Sequence, residues 1–137
     1  MKRFAFALLL LVALAVPLIA HHSFAAEYDG NKPITIKGIL KEVDWRNPHI
    51  YYFFDVKDAA GKVARWTVEG YPPNMLVRRP EGWTRDKVMA KIGDEVTITG
   101  WAARAGNNAA HSRTFTFSDG SKMEAGPGAG TGGPPTN

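Results

Sequence analysis

A chain of 137 residues that opens on a removable export signal leaves room for one small domain and no more. It contains no cysteine, which excludes a disulfide framework, a thiolate metal site and a lipid-anchored cysteine. Loss of Lys2 and Arg3 with the signal takes the formal charge from +4 to +2, so the basic balance of the whole chain is no footprint for nucleic acid.

Residues 1–20 carry that signal: Lys2 and Arg3, an apolar run over 4–16, then Pro17 and the small residue Ala20. The run is short for a bilayer span, so the expectation is a periplasmic protein with no transmembrane segment in its mature chain. Cleavage after Ala20 would make His21 the first mature residue. Cleavage after Ala25, which has Ser23 two residues before it, would remove both His21 and His22. The polar start at Glu27 and Asp29 favours the first site.

Residues 34–43 are rich in β-branched side chains and alternate up to Gly38, where the apolar phase slips by one. A glycine at a phase change predicts a β-bulge in a long first strand. Asn47-Pro48 is a loop, 50–57 a second strand, Asp58 to Gly61 a hairpin turn and 63–69 a third strand. Residues 73–79 predict a short helix with Pro73 in its first turn, and Thr84 caps a second helical turn running to Met89. Strands follow at 95–102 and 112–117, separated by a polar loop at 104–110. Asp119-Gly120 closes the pattern as a turn, and the Gly/Pro-rich tail at 126–137 is expected to be disordered.

Three strands, a helical insertion and two more strands give an all-β class with a short helical insertion over residues 21–125. The order is that of a small five-stranded Greek-key barrel resembling the OB-fold, with an open antiparallel sandwich as the alternative. A closed barrel also removes exposed strand edges.

Several motifs together resemble a family of small exported bacterial proteins, domain of unknown function 6152. They are His21-His22-Ser23-Phe24 with Tyr28-Asp29, Trp45-x-Asn47-Pro48-His49, Trp66-x-x-Glu69, Gly82-Trp83-Thr84, Gly93-Asp94-x-Val96 and Asp119-Gly120. The resemblance covers about residues 21–124 and implies export and an OB-like fold. It implies no activity and transfers no catalytic residue.

Among residues that carry chemistry, the histidines lead. A terminal His21 offers an α-amine and an imidazole, which chelate Cu(II) or Ni(II), and His22 or His49 would extend a nitrogen-rich site. The amine titrates near pH ~8 and imidazole near ~6.5, so neutral ligands are present around neutrality. His49 leaves a loop that Pro48 stiffens, beside Trp45. His111 reads as a solvated loop residue, and Arg78, Arg79, Arg85 and Lys87 as a solvated helix face, with one of the arginines available to pair with Glu69.

No nucleophile–base pair, phosphate loop or zincin helix is present, so no catalytic residue and no enzyme is expected. The reading is an exported binding protein with His21, His22 and His49 as metal ligands, copper as the candidate cofactor, and Trp45, Asn47 and Trp83 shaping a ligand site. The alternative is a non-catalytic envelope adaptor that docks a protein partner through an exposed aromatic face.

Overall fold

The computed structural model describes residues 24–127; residues 1–23, with His21 and His22 among them, and residues 128–137 lie outside them. The elements in chain order are α1 (Phe24–Glu27), β1 (Tyr28–Asp44), β2 (Tyr51–Lys57), β3 (Val63–Glu69), α2 (Pro73–Val77), α3 (Arg85–Met89), β4 (Glu95–Ala103), β5 (Ala109–Phe117) and β6 (Lys122–Glu124). The class is mostly β with three short helices. No helix among the described residues is long and apolar enough to cross a membrane.

β1 is long because it serves two neighbours. Its first part pairs antiparallel with β4, from Tyr28 opposite Ala103 to Ile39 opposite Glu95, and its second part pairs with β2, from Gly38 opposite Val56 to Asp44 opposite Tyr51. The register shifts between Leu40 and Glu42, so Lys41 is the bulged residue rather than Gly38. Leu40 and Val43 are buried with two exposed residues between them, the pattern of an inserted residue. Gly38 does a different job: a Cβ there would lie 2.8 Å from Val56 Cγ2 and 2.9 Å from the Asp55 carbonyl oxygen. It lets β1 and β2 approach.

β2 and β3 form a hairpin whose turn is held by Asp58, which accepts from the amides of Ala60 and Lys62, with Gly61 at φ 85°. β4 pairs with β5, β5 with β6, and β3 with β5 in parallel through Thr67, Val68 and Glu69. The pairings β1–β2–β3–β5–β4–β1 therefore return to the strand they start from.

Alternation sends one face of each strand inward. Leu40, Tyr52, Phe54, Val68, Ile98 and Phe115 meet in the core, with Phe115 edge-on to both Tyr52 (4.8 Å) and Phe54 (5.4 Å). Each such side chain contributes about 1.5–3 kcal/mol on burial. The short helices add Leu76 and Val88, and the Thr84 hydroxyl caps α3 by accepting from Lys87 N.

The ordered packing runs past residue 125. β6 is a strand of only three residues, too short for its pattern to stand out. Gly126 is buried where any Cβ would collide with the Ser112 carbonyl oxygen.

Candidate functional site

Val68 faces the core, so Glu69, the next residue and the last of β3, points to the opposite side. It is nonetheless buried. The start of β1 covers it: the Tyr28 hydroxyl donates to Glu69 Oε2 at 2.6 Å. His49 Nδ1 contacts Oε1 of the same carboxylate. The backbone of Glu69 is held as well, its carbonyl accepting from Ser112 Oγ at 2.8 Å.

His49 leaves the loop after a cis Asn47–Pro48 peptide bond. The next residue, Ile50, is fixed by hydrogen bonds from its amide to the Tyr71 carbonyl (3.1 Å) and from the Gly70 amide to its own carbonyl (2.9 Å). The imidazole is thereby positioned over the end of β3.

His111 lies within β5, in register with Trp101 of β4 and Glu69 of β3. The expectation of a solvated loop histidine is overturned: it is buried, with Tyr28 and Phe24 packed edge-on at 5.1 and 5.4 Å. Its Nδ1 lies 3.0 Å from the Ser112 carbonyl oxygen. A carbonyl only accepts, so Nδ1 carries the proton and Nε2 holds a lone pair. Burial pushes the His111 pKa below the usual imidazole range, against the Ser112 carbonyl and Glu69, which pull it up. His49 Nδ1 likewise faces an acceptor, the Glu69 carboxylate. Neither Nε2 has a hydrogen-bond partner among the described residues.

Burial, and then Glu69, raise the pKa of the Tyr28 phenol far above its usual value, so it stays protonated as a donor. Burial and Glu69 raise Tyr51 in the same direction.

Tyr28, His49, Glu69 and His111 share a cavity of about 250 Å³ whose lining also includes Phe24, Tyr71 and Met75. Phe24 seats α1 at the cavity by packing edge-on to Trp101 at 5.4 Å as well as on His111. Among the described residues no three His, Asp or Glu side chains form a metal-holding group by themselves.

The sequence-derived candidates separate accordingly. His49 lines the cavity. His21 and His22 lie outside the described residues. Trp45 is half-buried against the core, and Asn47 is exposed in the loop. Trp83 is a core residue: its ring stacks on Phe117 at 5.2 Å and its indole N–H donates to the Lys122 carbonyl at 3.2 Å. It shapes the β6 side of the core, and it is absent from the cavity lining. Glu69 does not pair with an arginine; Arg79 instead bridges to Glu124 (3.2 Å) and donates to the Tyr71 hydroxyl (2.7 Å).

Sequence reasoning missed Tyr28, Met75 and His111 as cavity residues and gave Glu69 the wrong partner. The one local signal was alternation, which puts Glu69 and Val68 on opposite faces. The partners lie tens of residues away.

Residues 8–112 match a family described as a family of unknown function (DUF6152). The chain belongs to this family. The matched span contains every cavity residue from Phe24 to His111. No curated protein and no solved structure matches the chain significantly.

Proposed function

We propose that this family member is an exported, non-enzymatic binding protein with an OB-like barrel, and that its ligand is a copper-type metal ion held by His21, His22 and His49. Support for the barrel is the closed circuit of strand pairings, in the order such a fold requires. Periplasmic export is part of the same reading, on the strength of the leading apolar run.

The observation that carries the metal reading is the contact between His49 Nδ1 and the buried Glu69 carboxylate. A ligating histidine commonly donates its other ring N–H to a carboxylate, which fixes the tautomer and raises the basicity of the free nitrogen. His49 already has that support, with Nε2 left over. Phe24 lines the same cavity, and His22 is two residues upstream of it, within ~7 Å at full extension. Cleavage after Ala20 would give His21 a free amine, and amine plus imidazoles suit Cu(II).

The adaptor reading has less support. It needs a contiguous aromatic surface, whereas the exposed large apolar residues among those described are Val63, Met75, Val77 and Ile92, none of them aromatic.

The test is native mass spectrometry of the protein recovered from the periplasm, followed by Cu(II) titration. The expected result is a chain starting at His21 that binds one copper ion. Deletion of His21 and His22, and separately His49→Ala, should each weaken binding. Unchanged affinity in both variants would remove the metal reading.

A further inference from the structure

Met75 is out of place as an apolar residue. It is 48% exposed, yet it lines the cavity that contains His49 and His111. The first turn of α2 fixes its backbone, through the amide hydrogen bond to the Pro72 carbonyl at 3.1 Å. The preceding Tyr71 is pinned on both sides, accepting from the Ile50 amide and donating to the Ala125 carbonyl at 2.6 Å. The cavity thus presents one thioether sulfur with two imidazoles whose Nε2 atoms have no described partner.

We propose that His49, His111 and Met75 form a site for Cu(I), with Glu69 orienting His49 and the Ser112 carbonyl orienting His111. The inference rests on the copper-binding reading and names the oxidation state this part of the cavity selects. A thioether is a soft ligand that favours Cu(I), whereas amine and imidazole nitrogens serve Cu(II). His111 Nδ1 is engaged by the Ser112 carbonyl at 3.0 Å, so Nε2 is the ring nitrogen left to face a ligand. His111 comes from β5, Met75 from α2 and His49 from the pinned end of the loop before β2, so cuprous binding does not need the amine of His21.

The test uses the full exported chain. Cu(I) is titrated anaerobically against a chromophoric cuprous chelator, and Cu(II) is titrated separately in air. Met75→Leu conserves volume at an exposed position and leaves the fold intact; it should weaken Cu(I) binding by roughly 10-fold or more and leave Cu(II) binding unchanged. His111→Phe should weaken Cu(I) binding as well. X-ray absorption at the copper edge should report a sulfur neighbour in the cuprous wild type that Met75→Leu removes. Because the chain has no cysteine, that sulfur can only be a thioether. Wild-type cuprous affinity in Met75→Leu, or no sulfur neighbour in a copper-loaded wild type, overturns this inference and leaves the His21, His22 and His49 reading standing. A wild type that binds neither ion overturns both.

Discussion

The Tyr28 hydroxyl and the Glu69 carboxylate, 41 residues apart in the chain, are joined by a buried hydrogen bond of 2.6 Å. One bond therefore ties the first residue of β1 to the last residue of β3 and carries the N-terminal segment onto the cavity. Tyr28→Phe keeps the ring packing on His111 and removes only the donor. Hydrogen bonds to charged groups contribute about 1.5–3 kcal/mol, so a loss of ~2 kcal/mol is expected, read as a lower urea midpoint with unchanged slope. A change within error of zero would mean that solvent satisfies Glu69 instead.

His111 sets a pH dependence of known sign. Its pKa in the folded protein lies below that of the unfolded chain, which takes up the proton near pH ~6.5. In that window unfolding binds a proton, so stability falls as pH drops below ~6.5 and levels off once the folded form is also protonated. Charges facing the ring are Glu69 and Glu27, which favour protonation, and His49, which opposes it. Urea midpoints measured between about pH 7 and about pH 5 should decline in the wild type and decline less in His111→Gln. Parallel curves would assign the effect to other groups.

Tyr52 is fully buried in the core, and its hydroxyl has no hydrogen-bond partner among the described residues. Burial raises its pKa to the same effect: the phenol stays neutral. An unmet buried hydroxyl costs about 1–3 kcal/mol, so Tyr52→Phe should stabilise the protein by ~1 kcal/mol or more while preserving the edge-on contact with Phe115. A lower thermal midpoint in Tyr52→Phe would count against this account.

Gly100 lies at the register shift between β4 and β5. A Cβ there would collide with the His111 carbonyl oxygen and lie 3.2 Å from Ser112 Cα, and backbone atoms cannot swing aside as a side chain can. Gly100→Ala should cost about 3 kcal/mol. It should also move His111, so any ligand affinity at the cavity should fall with it, unlike Tyr52→Phe. Thermal midpoint and affinity measured on both variants separate the two effects.

The strands were legible where local pattern and tertiary role coincide. Val63–Glu69 alternates strongly and appears as β3 with the expected bounds, and the Thr84 cap needed only its own turn. The start of β1 was not legible. From the sequence the strand begins at Ile34, because Gly30, Asn31 and Pro33 are poor strand formers, and pairing with β4 overrides that preference. The phase slip at Gly38 was seen, but the inserted residue is Lys41, because the glycine is reserved for close strand approach. At the candidate site, His49 was visible from its proline-stiffened loop. Glu69 and His111 were misread because their environment is made by Tyr28 and Phe24, which return from the far end of the chain to cover them. Trp83 was misplaced for the converse reason: read as shaping the ligand site, it is buried in the core against Phe117.

The parallel contact between β3 and β5 is three residues long, and its last rung sets Glu69 opposite His111. It is the narrowest seam in the circuit of strands, and it ends at the cavity. Whatever bridges the histidines there acts as a clasp, suppressing the breathing of the seam. Amide exchange along residues 67–69 and 109–111 should then slow as the cavity fills, so that the molecule records its own loading in the rigidity of its backbone.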